Sequence, residues 1–185
     1  DIATREEQFR TIVTQVPGAV YRVRANGPVE FVSDAIEGIT GYPAERFIGA
    51  TTADWSGIVH PQDRRTYHTQ VRAAVLSGSA YQIEYRIVAA GGGERWVLEH
   101  GQPQGSSEEG YRVDGIISDI SERKLAEERL RLSATVLEHI ADGVMVLDPH
   151  GCIVAINPAF SRITGYTEQE ALGRESSLTR GNRTG

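Results

Sequence analysis

Ile39-Thr40-Gly41-Tyr42 returns further along the chain as Ile163-Thr164-Gly165-Tyr166, and this repetition decides the architecture. At the same offset of 124 (165 − 41), without gaps, Val20 meets Val144, Gly27 meets Gly151, Ala35 meets Ala159 and Gly49 meets Gly173. Val23 with Leu147, Val29 with Ile153, Val32 with Ile156, Ser33 with Asn157 and Ile48 with Leu172 are conservative pairs, so the apolar pattern repeats with the tetrapeptide. A chance match does not stay in register over some forty positions. The chain therefore carries two related domains.

Outward from the first tetrapeptide, the period of the apolar residues assigns the elements. Upstream, Phe9, Ile12, Val13 and Val16 lie on one helical stripe that Pro17-Gly18 ends, predicting an amphipathic helix over residues 1–17. Ala19–Val23 and Val29–Val32 flank Asn26-Gly27, a pair that accepts positive φ, and read as an antiparallel hairpin. Ser33 or Asp34 caps a short helix that Gly41 stops, and Pro43 starts another ending near Gly49. His60-Pro61-Gln62-Asp63 predicts a helix start with proline in the first turn, where a missing N–H costs nothing. Tyr67, Val71, Ala74 and Val75 supply that helix's apolar face and Gly78 closes it. Three strands follow at about 80–89, 94–104 and 110–119, separated by Gly91-Gly92-Gly93 and a polar loop at 105–110. Two strands, clustered helices and three strands imply an α+β domain with an antiparallel sheet packed on one face against helices.

Beyond Asp119 the run Glu122–Leu132 is a strong helix former, and Leu125, Leu132, Val136 and Ile140 share one face, widened by Leu130 and Leu137. A helical linker over 121–141 is the expectation; it either pairs with a partner helix or folds back on its own domain. The second copy, 142–185, has no counterpart in this sequence of the long helix and the three closing strands. Two strands bury too little apolar surface to offset ordering entropy, so this segment is expected to be disordered or rescued by exchange with another chain.

Composition closes off several classes. At 39% hydrophobic and 24% charged residues the chain is of ordinary globular make-up, and no apolar run approaches the roughly 20 residues of a membrane helix. No export signal stands at its start. A net charge of −6 without a Lys/Arg cluster argues against nucleic acid as partner. The single cysteine, Cys152, forms no internal disulfide, and no cysteine–histidine spacing suggests a metal site, in keeping with a cytoplasmic setting.

With these elements in place, the chain resembles the PAS family. Phe31-Val32-Ser33, Gly41-Tyr42 and Gly49, then Trp55 and Val59-His60-Pro61-Gln62-Asp63-Arg64, are similar to the PAS pattern of GY, then W, then HPDD, with Gln62 at the first aspartate position. Arg95-Trp96-Val97 and Gly115–Lys124 resemble the closing PAC portion. Its Asp-Ile-Thr signalling motif reads here Asp119-Ile120-Ser121, where serine keeps a hydroxyl able to cap the following helix. The resemblance implies a five-stranded antiparallel sheet with short helices and one long helix on one face, flanked by terminal helices. A complete sensor domain would occupy 18–120.

The family's pocket lies between the inner sheet face and the long helix. Alternation and helical phase nominate Tyr21, Tyr67, Val71, Tyr85, Trp96 and Ile117 for its wall, although aromatic residues fill cores with or without a ligand. The long helix carries the axial histidine in haem-binding relatives. Here Tyr67 fits the inward stripe and His68 falls outside it, so haem is not expected. Ser176 stands where flavin-binding light sensors carry their adduct-forming cysteine, which rules out cysteinyl-flavin chemistry.

His60 reads as a helix-start residue, Asp63 as a partner of the helix dipole, and Arg86 and His100 as exposed sheet charges. No nucleophile–base pairing and no GGDEF, EAL or kinase signature is present, so no turnover is expected. What the resemblance implies is a non-catalytic input module that senses a small ligand and regulates a downstream cyclic-di-GMP enzyme through a dimeric helical linker. The alternatives are the sensor of a histidine kinase and a ligand-free dimerisation spacer.

Overall fold

The computed structural model describes residues 16–24, 27–106 and 110–176, with backbone alone for Thr52, Ala53 and Ser106. Residues 1–15 of the helix expected over 1–17, and Asn26 of the expected hairpin turn, lie outside the described residues, and Val16 and Pro17 form a bend. Two compact units divide the chain, 1–124 and 125–185.

In the first unit, β1 (Ala19–Arg24), β2 (Val29–Val32), β3 (Tyr81–Val88), β4 (Glu94–Ser106) and β5 (Gly110–Asp119) form one sheet of order β2-β1-β5-β4-β3. Every neighbouring pair is antiparallel. The expected five-stranded α+β architecture is thus observed. Between β2 and β3 come α1 (Ala35–Thr40), a 3-10 turn (Ala44–Arg46), α2 (Thr52–Ile58) and α3 (Arg64–Ser77). Ile36, Phe47 and Val59 from this helical layer pack with Ile83, Ile87 and Val97 of the sheet into one core. Period-two alternation sets the inner face: Ile83, Tyr85 and Ile87 are buried on β3, and Val97 and Glu99 on β4.

Gly41 stops α1 as expected, in the left-handed conformation (φ 73°). The β1–β2 hairpin also forms, but Gly27 is not at positive φ; the turn closes through Gly27 N–H to Arg24 O (2.8 Å) and Arg24 N–H to Pro28 O (3.1 Å). The start of α3 differs from expectation. Pro61 and Gln62 form a turn and the helix begins at Arg64, with Asp63 at its N-cap making no side-chain cap bond. The carboxylate is committed elsewhere: Asp63 accepts from the Arg86 backbone N–H (3.0 Å), Nε (3.0 Å) and Nη2 (2.7 Å), which anchors the segment to the β3 edge. Arg86 hydrogen-bonding holds the Asp63 carboxyl below its usual range.

Helix α4 (Ser121–His139) leaves β5 and runs across the boundary between the units. Leu125, Leu130, Leu132 and Val136 are exposed along it, and Ile140 lies one residue past its end, donating to Val136 O (3.0 Å).

The second unit contains a hairpin of β6 (Met145–Leu147) and β7 (Ile153–Ile156), then α5 (Pro158–Thr164) and α6 (Glu168–Ala171), around a small core of Ile153, Phe160 and Ala171. The expected disorder is corrected for its described residues. Local bonds hold it: Asn157 accepts from Val144 N–H (2.8 Å) and Phe160 N–H (2.9 Å) and donates to the carbonyls of Leu137 (3.0 Å) and Asp142 (2.9 Å).

Candidate ligand cavity

The inner face of the first unit's sheet does not close completely on α3. A cavity of about 520 Å³ remains, walled largely by apolar groups including Val23, Ile36, Phe47, Val71 and Val113. Such a volume falls within the ~300–1,000 Å³ of small-molecule pockets. At one pole is Glu99, 2% exposed, brought inward by the same alternation that buries Val97.

A buried carboxylate needs partners, and here they are phenols. Tyr21 donates its hydroxyl to Oε1 (2.5 Å), Tyr81 to Oε1 (2.8 Å) and Tyr85 to Oε2 (2.5 Å). Tyr85 accepts in turn from Trp55 Nε1 (3.1 Å), and the Tyr67 ring packs 4.7 Å from that of Tyr85. Burial pushes the Glu99 carboxyl above its usual pKa against the opposing pull of the tyrosine hydroxyls. Burial, and next the charge of Glu99, push Tyr21, Tyr67, Tyr81 and Tyr85 upward.

Glycine makes room for this cluster. A Cβ on Gly101 would stand 2.2 Å from the Tyr81 ring, and one on Gly115 would stand 2.5 Å from that of Tyr21. Both tyrosine side chains therefore occupy space over the backbone that only glycine leaves open.

Of the six nominated wall residues, Tyr21, Tyr67, Val71 and Ile117 line the cavity. Tyr85 stands behind it, buried and bonded to Glu99. Trp96 is a correction: it lies on the opposite sheet face, with the Arg86 guanidinium 5.6 Å and the Lys124 ammonium 5.1 Å from its ring centre. On β4 the inward phase belongs to Val97 and Glu99, one residue away from the nominated tryptophan, whose ring takes two cations on the outer face. His68 is exposed, as its helical phase predicts, and stands with Arg72 at the cavity rim. Arg86 and His100 do not line the cavity; Arg86 pairs with Asp63 and His100 is exposed. Sequence reasoning missed Glu99, Tyr81 and Trp55, although Tyr81 and Tyr85 keep the inward phase of β3.

The signalling motif joins this sheet to α4. Ile120 is buried and its N–H bonds Trp96 O (2.9 Å), while Asp119 Oδ1 accepts from Ser121 N–H (2.8 Å). Ser121 Oγ accepts from Trp96 N–H (3.0 Å), so the hydroxyl expected to cap the helix pins it to β4 instead. In the next turn, Arg123 (2.7 Å) and Lys124 (2.6 Å) both reach Glu84 on β3, and their hydrogen bonds hold its carboxyl below the usual range.

Sequence models of the PAS fold match residues 29–117 and 132–180, and the chain belongs to the PAS family of sensory domains. It is 30% identical over 124 residues to the probable diguanylate cyclase DgcE of Escherichia coli, covering 64% of this chain and 11% of that protein. Identity to the sensor protein FixL of Bradyrhizobium diazoefficiens is 26% over 125 residues, or 65% of this chain and 25% of FixL. A solved sensory box histidine kinase/response regulator structure from Burkholderia thailandensis superposes with a TM-score of 0.60 at 26% identity, covering 72% of this chain and 99% of that one. The chain thus spans a quarter or less of the length of these curated relatives. The matched segments are non-catalytic PAS domains. No helix among the described residues is long and apolar enough to cross a membrane.

Proposed function

We propose that the first unit senses a small molecule in its cavity and that α4 passes the change on, as one chain of a dimer, to a cyclic-di-GMP enzyme downstream. The observation that carries this reading is the cavity's continuity with the helix through two strands. On β3, Tyr85 faces Glu99 inside while its neighbours Glu84 and Arg86 face α4 and Trp96 outside. A ligand that moves the phenols shifts strands whose outer side chains hold the first turn of α4. The exposed leucines and valine of α4 supply an apolar face for a twin helix, in which a change of rotation or register carries the signal. An open cavity also weighs against a spacer whose interior is filled by its own side chains.

Likeness to DgcE supports the cyclic-di-GMP effector. The similarity to a sensory box histidine kinase structure supports the same input attached to a kinase, the second reading. Native mass spectrometry of this chain with an absorbance scan tests the sensor. A dimer retaining a small molecule, displaced when Val71→Phe fills the cavity, is expected; a monomer that keeps no ligand and gains none from a metabolite library overturns it. Measuring cyclic-di-GMP formation by the full-length protein with and without that molecule then tests the effector.

A further inference from the structure

The chemistry of the cavity's polar pole restricts what it can hold. Four tyrosines surround one carboxylate, and three of their hydroxyl protons point at it within 2.8 Å. A phenol has one proton to give, so Tyr21 and Tyr81, having donated to Glu99, face the cavity with lone pairs alone. Their oxygens stand 3.0 Å apart, and both donate to the same carboxylate oxygen. This pole is rich in acceptors, carries the only acidic side chain of the lining, and offers no spare donor from these three hydroxyls.

Around it stand the aromatic side chains of Tyr21, Tyr67, Tyr81, Trp55 and Phe47, and the rest of the wall is mostly aliphatic. Electron-rich rings attract a cation, more so out of water, and a cation held beside Glu99 favours its ionised form against the burial that raises its pKa, adding a charge attraction that solvent screens little. The one guanidinium of the lining, Arg72, is exposed at the rim, where water weakens its pull on an anion. An anionic ligand would meet Glu99 before any solvent-free positive charge.

Resting on the reading of this cavity as a sensor pocket, we infer that it takes an organic cation: an ammonium or methylated ammonium head against Tyr21, Tyr81 and Glu99, with an apolar body along Val71, Val113 and Ile117. A head bearing N–H groups donates to the free lone pairs of Tyr21 and Tyr81. A fully methylated head uses the rings and the charge alone.

The test is titration calorimetry on the chain with three probes of similar body: benzyltrimethylammonium, benzyl alcohol and phenylacetate. The cation is expected to bind at least tenfold more tightly than the alcohol, with phenylacetate weakest. Glu99→Gln, which keeps an acceptor for the phenols, should abolish the preference for charge, and Val71→Phe should abolish binding of every probe. Equal binding of cation and alcohol, a preference for phenylacetate, or full cation affinity in Glu99→Gln overturns the inference; if Val71→Phe still blocks those probes, the sensor cavity survives. If no probe binds the native chain at millimolar concentration, the cation inference falls. In that case retention of another small molecule in the mass spectrum decides the sensor reading separately.

Discussion

The two copies of the repeat share their backbone chemistry down to individual bonds and differ in what covers them. In the first, Val20 N–H donates to Ser33 Oγ (3.0 Å); in the second, Val144 N–H donates to Asn157 Oδ1 (2.8 Å). Thr40 Oγ1 donates to Ile36 O (2.9 Å) and Thr164 Oγ1 to Phe160 O (2.7 Å). Gly49 N–H reaches Val29 O (2.9 Å) and Gly173 N–H reaches Ile153 O (2.8 Å). Even the register break recurs, between Arg22 and Val23 and between Val146 and Leu147. Yet Ile39 is 6% exposed and its counterpart Ile163 is 66% exposed. Local hydrogen bonding specifies the motif in both. Burial of this isoleucine comes only in the copy where β3, β4 and β5 are present, and so does the cavity.

The largest effect should come from the group that only the first copy possesses. Glu99→Leu leaves the Tyr21, Tyr81 and Tyr85 hydroxyls without their acceptor, at a cost of about 3 kcal/mol when several buried donors lose one partner. Hydrogen exchange should show lost protection throughout β1 and β3–β5, with β6 and β7 unchanged; equal loss in both units would mean the copies are not independent. Glu99→Gln should cost much less and reveal the carboxyl's pH signature. Because burial raises the Glu99 pKa above the usual 4.5, the folded state holds its proton more tightly than the unfolded chain. Its contribution is complete below 4.5 and is lost as pH rises through the folded value. Asp63 and Glu84, held low by Arg86 and by Lys124 with Arg123, contribute in the opposite sense, and their share is lost as pH falls through their folded values. Denaturant titrations should therefore show Glu99→Gln flattening the decline above pH 4.5 while leaving the acid limb in place.

A middle-sized effect reverses the ranking of the copies. At the position shared by Ser33 and Asn157, the serine accepts one backbone N–H, whereas the asparagine accepts two and donates to two carbonyls, capping α5 as it does so. Asn157→Ala should destabilise the second unit by about 2 kcal/mol and Ser33→Ala the first by about 1 kcal/mol, following the value of a cap and of a single bond. Exchange rates at Val144 and Phe160 against those at Val20 measure the difference. An equal or inverted pair would show that the asparagine network does not hold the smaller unit together.

The same division explains what was legible in the sequence. The tetrapeptide, its glycines and the strand periods are local signals, so the strand order along the chain, the helix stops at Gly41 and Gly78 and the PAS resemblance could be read directly. The cavity depends on which side of a strand faces in and on what meets it across the sheet. Trp96 was misplaced because hydrophobic size and strand phase disagreed there, and phase prevailed: Val97 and Glu99 are inside and Trp96 is outside. Glu99 was missed because a glutamate in a strand normally marks the solvent face. Its partners come from β1, β3 and α3, separated by up to 78 residues, and no local pattern links them.

The smallest effect isolates backbone from packing at one glycine. Gly41 and Gly165 both end their helix in the left-handed region, at φ 73° and 78°. Alanine at either place carries the strain of that conformation, about 1 kcal/mol. At Gly165 nothing lies within 4 Å of the added carbon, so strain is the whole cost. At Gly41 the carbon would also stand 3.2 Å from the Ala90 Cβ, in the loop joining β3 and β4, where Ala90 N–H already bonds Thr40 O (2.9 Å). Gly41→Ala should therefore exceed Gly165→Ala in cost by a few tenths of a kcal/mol in denaturant titrations, and Ala90→Gly in the same background should remove that excess alone. If the excess survives Ala90→Gly, the two glycines differ by more than the sheet packed against the first.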